Sequence, residues 1–189
     1  MDKVNDDDVH CGVNIHLLVL FNRLESSKKY GILFVCLGNI CRSPAAQAVL
    51  QRMVDERGLT DRFFIDSAGM GGWHIGDLPD RRMRVHARPR GYELTHRARR
   101  VSTADFEDFD LIVGMDATNV SDLCRMAPTI EQERKVVMMG DYIRQFPHYD
   151  YVPDPYYEGS EGFELVLDLL EDACDNLLNQ IIKQNKITS

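Results

Sequence analysis

Cys36 and Arg42 stand near the two ends of one short stretch, "VCLGNICRSP", residues 35–44. An ionised thiol is a strong side-chain nucleophile, and a guanidinium is a planar fork that matches the oxygens of a phosphate. Between them lie Leu37, Gly38, Asn39, Ile40 and Cys41; after them come Ser43 and Pro44, which suit the N-cap and first position of a helix. The loop over residues 36–43 therefore hangs above a helix N-terminus, where unpaired amides and the helix dipole favour an anion. Gly38 is expected to let the backbone curl, so that successive N–H groups point inward. The same positive field favours Cys36 as a thiolate at neutral pH. A nucleophile beneath an anion cradle suits phosphoryl transfer through sulfur.

Other chemistries fit this loop less well. A cysteine at the end of a buried strand can be a core residue, and Cys36 with Cys41 could hold a metal. No second Cys/His pair at a suitable spacing follows, so no metal is assigned. The lysine of a Walker A loop and the G-x-G-x-x-G of a dinucleotide fold are both missing, so neither ATP nor NAD is indicated. No cofactor is called for.

The elements that must position the loop alternate along the chain. "YGILFVC" is a short apolar run read as a buried strand, and "AAQAVLQRMVDERG" has helical spacing with Gly58 as a stop. "RFFIDSAG" is a second strand, and "PDRRMRVHARPRG" is a helix closed by Pro89 and Gly91. "DFDLIVGM" is a third strand, "DATNVSDLCRMAP" a helix ended by Pro128, and "KVVMMG" a fourth strand. A long amphipathic helix follows, with Phe163, Val166, Leu167, Leu170, Cys174, Leu177, Leu178 and Ile181 on one face. The fold class expected is α/β: a single domain over residues 29–189, with a four-stranded parallel sheet and helices on both faces. The phosphate-binding loop follows the first strand, at the carboxyl end where such sheets bind ligands.

Residues 1–28 read as an extension, expected to be poorly ordered. It begins with the acidic "MDKVNDDD" and continues with the apolar "VNIHLLVLF", which is too short to span a bilayer. An acidic start does not suit a signal peptide. A net charge of −8 argues against broad binding to nucleic acid or anionic membranes. Five scattered cysteines are no disulfide framework and suit a reducing compartment, so a cytoplasmic location is expected; the chain is also expected to be a monomer. Within this acidic chain, residues 81 to 100 hold eight arginines and two histidines. They make either a solvated helix face or a surface that draws acidic residues around a substrate bound at the loop.

"VCLGNICRSP" resembles the active-site loop of the low-molecular-weight protein tyrosine phosphatases. "DSAG" at 66–69, Trp73, "TH-RAR" at 95–99, "MD" at 115–116 and "DPYY" at 154–157 fall in that family's order. The resemblance covers about residues 30–183. It implies hydrolysis of phosphotyrosine in proteins, or of small aryl phosphates, through a phosphocysteine, with inorganic phosphate as product. By the same likeness Cys36 is the nucleophile, Arg42 binds phosphate, Ser43 donates its hydroxyl to the Cys36 sulfur, and Asp154 is the general acid and base. Asn39 would hold the loop through Ser43, Ser67 and His96, with Asp116 pairing with His96. Leu37, Ile40, Trp73, Tyr156 and Tyr157 would wall a deep cleft for an aromatic ring. An arsenate reductase shares such a loop but needs further relay thiols, and Cys124 stands alone after the third strand. A phosphotyrosine-binding module without turnover is the other alternative, and intact Cys36, Arg42 and Asp154 argue against it.

Overall fold

The computed structural model describes residues 28–188. The apolar run over residues 13–21, and the rest of the extension up to residue 27, lie outside the described residues. Four strands form one parallel sheet: β1 (Tyr30–Cys36), β2 (Phe63–Gly69), β3 (Leu111–Gly114) and β4 (Val136–Met138), in the order β2-β1-β3-β4. The central strand β1 is buried along both faces after Tyr30, which is why its sequence is continuously apolar rather than alternating.

Helices cover each face. On one, α1 (Arg42–Glu56), α2 (Arg81–Ala87) and α6 (Ser160–Asn185) pack over Ile32, Phe34 and Val113. On the other, Leu33, Val35, Ala68 and Ile112 meet Phe106 of α3 (Asp105–Asp108) and Leu123 of α4 (Ala117–Met126). Ala45, Val49, Leu50 and Val54 of α1 are buried, as are all eight residues expected on the apolar face of α6. Burying a Val, Leu, Ile or Phe side chain is worth about 1.5–3 kcal/mol each, so this layer is a main source of stability. No helix among the described residues is long and apolar enough to cross a membrane.

The alternation expected from the sequence is present, with local differences. The third strand is confined to Leu111–Gly114; just before it, Asp110 still bonds to β1, its N–H donating to Gly31 O at 2.9 Å and its carboxylate accepting from the Gly31 N–H at 2.8 Å. Two single-turn helices, α3 and α5 (Ile130–Glu133), carry too few residues to show a helical period. After α2 a 3₁₀ turn, Arg88–Arg90, runs to Gly91, which takes the left-handed conformation at φ 86°. Further 3₁₀ turns lie at Met139–Tyr142 and Pro155–Tyr157.

Candidate active site

From β1 the chain crosses to β2 on one side and later to β3 on the other, so the loops leaving β1 and β3 diverge at the sheet's carboxyl edge. This is the topological switch point, where open parallel sheets leave a crevice. Cys36 ends β1 there, and the loop after it leads straight into α1. Backbone bonds fasten the loop to the strand beside it: Met70 N–H to Cys36 O at 2.9 Å and Gly71 N–H to Leu37 O at 2.8 Å. Gly69 makes that contact possible, since an added Cβ would come within 3.0 Å of the Asn39 nitrogen and the Gly38 carbonyl carbon.

Two local expectations change. The helix begins at Arg42, with Cys41 as its N-cap and no side-chain cap bond, so Ser43 is not the cap. Its hydroxyl is used inside the site instead: Oγ lies 3.1 Å from the Cys36 sulfur and 3.2 Å from the Ala68 carbonyl. Nor is Gly38 the left-handed residue of the loop. That is Asn39, at φ 56°, a conformation asparagine tolerates because its side chain bonds locally. A Cβ at Gly38 would instead press on the His74 ring at 3.3 Å.

Asn39 is 1% exposed and uses every hydrogen-bonding position it has. Its amide donates to Ser43 Oγ and Ser67 Oγ, both at 2.9 Å. Its carbonyl oxygen accepts from His96 Nε2 at 3.1 Å and from the Arg99 N–H at 2.9 Å. Ser67 in turn donates to Gln47 Oε1 at 2.7 Å. The loop, β2, α1 and the segment after α2 are therefore tied through one side chain. Burial holds His96 below its ordinary value, with Asp66 pulling the other way.

Asp116 does not pair with His96. The carboxylate facing His96 is Asp66, 3.5 Å from Nδ1. Asp116 leaves β3 on the far side of the crevice, where one oxygen caps α4 at the Asn119 N–H, 2.8 Å, and the other meets Arg42 Nη1 at 2.6 Å. Arg42 Nη1 also reaches the Val152 carbonyl at 3.2 Å, and Nη2 reaches Asp154 Oδ2 at 2.7 Å. The guanidinium is thus 2% exposed and clamped between two carboxylates, while its buried Nε has no protein partner among the described residues. Burial opposes the charge, but Cys36, Asp154 and Asp116 outweigh it and hold Arg42 above the ordinary arginine value.

Asp154 comes from a different part of the chain. The segment is anchored by Val152 N–H to Met115 O at 2.9 Å, and Asp154 Oδ1 caps the following 3₁₀ turn at the Tyr156 N–H, 3.1 Å. Prolines on both sides stiffen it. Tyr156 and Tyr157 stand edge to face at 5.0 Å, with the Arg82 guanidinium 5.2 Å over the Tyr156 ring.

These parts enclose a cleft of ≈ 290 Å³. Cys36, Cys41 and Arg42 are buried at its floor, and Leu37, Ile40, Trp73, Tyr156 and Tyr157 wall it. The walls grow more exposed toward the mouth, from 3% at Cys36 to 73% at Trp73 and 95% at Tyr157. Burial first, then Asp80 and Cys36, pushes the Cys41 thiol up, so it stays protonated. His74 also lines the cleft, held by Asp77 at 3.2 Å. Sequence reasoning missed His74, and it missed Asp66, although Asp66 opens the "DSAG" stretch.

Most of the arginines over residues 81 to 100 have structural partners. Arg90 pairs with Glu164, Asp168 and Glu171 on α6, Arg99 with Asp66 and Asp105, and Arg82 with Asp80. Basic residues clustered in sequence therefore serve different contacts in space.

Comparison with known proteins agrees with this geometry. A family model for low molecular weight phosphotyrosine protein phosphatase matches residues 31–187. A low molecular weight phosphotyrosine protein phosphatase of Schizosaccharomyces pombe is 42% identical over 156 residues, covering 82% of this chain and 99% of its own. The crystal structure of a protein tyrosine phosphatase from Entamoeba histolytica superposes with a TM-score of 0.79 at 41% identity, over 84% of this chain and 100% of that one. A Drosophila arginine phosphatase superposes with a TM-score of 0.73 at 35% identity, over 79% and 96%. With a match across nearly all the described residues, and with thiol, arginine and carboxylate meeting at the switch point, the chain belongs to the low molecular weight phosphotyrosine protein phosphatase family.

Proposed function

We propose that this chain is a cysteine-dependent protein tyrosine phosphatase, with Cys36 as nucleophile, Arg42 as phosphate ligand and Asp154 as general acid and base. The observation that carries this reading is the cleft floor: a buried thiol beside a buried guanidinium with an unpartnered Nε, beneath walls of Trp73, Tyr156 and Tyr157. An aryl phosphate entering it takes the place of Asp154 on Arg42 and frees that carboxylate to act. Cys36 attacks phosphorus in line, the bond from phosphorus to the phenolic oxygen breaks, and Asp154 delivers a proton to that oxygen. Loop amides and Arg42 carry the charge on the equatorial oxygens.

In the second step Asp154 takes a proton from water as the water oxygen attacks phosphorus, the phosphorus–sulfur bond breaks, and inorganic phosphate departs from the regenerated Cys36 thiolate. Ser43 suits that departure. Its single hydroxyl hydrogen can turn from the Ala68 carbonyl to the sulfur, while Asn39 donates to its oxygen. The gradient of exposure from Cys36 to Tyr157 favours a long flat side chain over phosphoserine. A cytoplasmic location remains part of this proposal, supported by the scattered cysteines, which suit a reducing compartment, and so does a monomeric state.

The test is turnover of p-nitrophenyl phosphate, phosphotyrosine, phosphoserine and phosphoarginine, with and without EDTA. Turnover of the aryl phosphates unaffected by EDTA is expected, and Cys36→Ser should abolish it while still binding vanadate. A Cys36→Ser variant as active as the wild type would sink the phosphocysteine route. Preference for phosphoarginine would reassign the substrate.

A further inference from the structure

The catalytic cleft is not the only depression that Leu37 and Trp73 wall. Both residues also border a groove of ≈ 620 Å³ that continues over Met70, Arg100, Arg125 and Met126. The Trp73 ring is folded back over Gly71, where an added Cβ would meet its Cζ3 at 1.8 Å. The indole is thus a partition with the phosphate cleft and this groove both lined by it.

The groove combines an apolar floor with a positive rim. Met70 and Met126 are partly buried against the core cluster beneath, and methionine surfaces adapt to differing apolar side chains. Arg100 is held in place by its own backbone: Gly69 and Arg100 form a parallel bridge, and the Val101 N–H donates to Gly69 O at 2.9 Å. Its Nε donates to Met70 O at 3.2 Å, and its two terminal nitrogens have no partner among the described residues. Arg125 is paired with Asp122, the one acidic residue lining the groove. One net positive charge remains there, in a chain whose net charge is −8.

We propose that this groove binds the substrate segment flanking the phosphotyrosine, and that it selects a segment carrying an acidic residue beside an apolar one. The proposal rests on the phosphatase reading above, because it is the shared partition that places the flanking chain in the groove. An extended chain advances about 3.3 Å per residue, so side chains about two to four positions from the phosphotyrosine reach it. The apolar side chain settles on Met70 and Met126, and the carboxylate meets Arg100.

Two readouts separate this proposal from the phosphatase reading. Turnover of p-nitrophenyl phosphate, too small to enter the groove, tests the chemistry alone. Fluorescence of Trp73, the only tryptophan in the chain, reports binding whether or not turnover occurs, and free phosphotyrosine, which fills the cleft alone, gives the baseline against which occupancy of the groove is read. Three phosphotyrosine peptides would be compared, with Glu-Leu, Gln-Leu or Lys-Leu pairs at the flanking positions on both sides. The acidic peptide should bind and turn over best, by about three- to tenfold in Kd and KM over the lysine peptide, the scale of exposed charge pairs. Added salt should compress the difference.

Arg100→Glu should reverse the preference through KM with kcat unchanged, and turnover of p-nitrophenyl phosphate should stay at the wild-type value, which also certifies the fold. Arg125→Glu, already paired with Asp122, should shift it in the same direction but less. An Arg100→Glu protein that is fully active on p-nitrophenyl phosphate and keeps the wild-type ranking of peptides overturns the proposal. So does equal binding of the three peptides by the wild type.

Discussion

Asp154→Asn separates the two roles that the structure gives this carboxylate, and it should move two measurements in opposite directions. As the general acid, Asp154 matters in proportion to how poorly the departing group leaves. Its loss should slow phenyl phosphate or phosphotyrosine by roughly 10²–10⁴-fold, a barrier increase of about 3–5 kcal/mol. p-Nitrophenyl phosphate, whose phenolate leaves without much help, should lose less. As a resting partner of Arg42, however, Asp154 occupies Nη2 at 2.7 Å and competes with any anion for it. Its side chain is 40% exposed, so the pair is worth only about 0.5–1 kcal/mol after solvent screening. Removing that competitor, and its repulsion of a bound dianion, should tighten inhibition by phosphate or vanadate about two- to fivefold. Asparagine keeps an oxygen for the Tyr156 N–H, so the loop and the melting temperature should hold. Steady-state kinetics on both substrates, with vanadate inhibition on the same preparation, make the assay. Equal losses on both substrates together with weaker vanadate binding would refute the assignment.

Asn39→Ala leaves the His96 Nε2 and Arg99 N–H donors without their partner and puts a Cβ-bearing residue at φ 56° without local bonding, so about 3–5 kcal/mol of stability should be lost. Asn39→Gly relieves the backbone part and should be more stable than the alanine variant by about 1 kcal/mol in urea unfolding; the reverse order would contradict the strain argument. Because burial depresses His96 in the fold, the unfolded chain binds the extra proton first, so stability should fall as pH drops below about 6.5 and keep falling until the lower folded value is passed. His96→Gln should flatten that dependence in unfolding midpoints measured at about pH 7.5 and 5.5, and an unchanged slope would assign it to another group. Peroxide should convert Cys36 to a sulfenic acid that condenses with the neighbouring Cys41 thiol, giving a disulfide and water that dithiothreitol reverses. Cys41→Ser should then lose activity irreversibly, and full recovery of that variant would end the protective role.

The alternation of strands and helices was legible because each element carries its own period. β1 is continuously apolar, and α6 repeats its buried face from Phe163 to Ile181. The α3 and α5 turns escaped because a single turn has no period to detect. The chemistry was legible for a related reason: Cys36, Arg42 and Ser43 lie in one loop, and their types and spacing restrict what that loop can do.

Partners distant in sequence were another matter. Asp154 and Asp116 looked like any of the 30 acidic residues until a family likeness picked them out. The likeness then sent Asp116 to the wrong partner, because pairing depends on which loops meet. β2 and β3 flank β1 on opposite sides, so Asp66 from β2 falls beside His96 and Asp116 from β3 falls beside Arg42. Ser43 shows the same division within a single loop. Its sequence neighbours suggest a helix cap, but the packing of β1 against β2 brings the Cys36 sulfur and the Ala68 carbonyl within reach of its hydroxyl. Which functional groups are present, and which of them share a loop, can be read along the chain, since covalent spacing and local periodicity are written residue by residue. Which carboxylate faces which cation emerges on folding, because strand order sets those distances across the sheet and no local pattern encodes it.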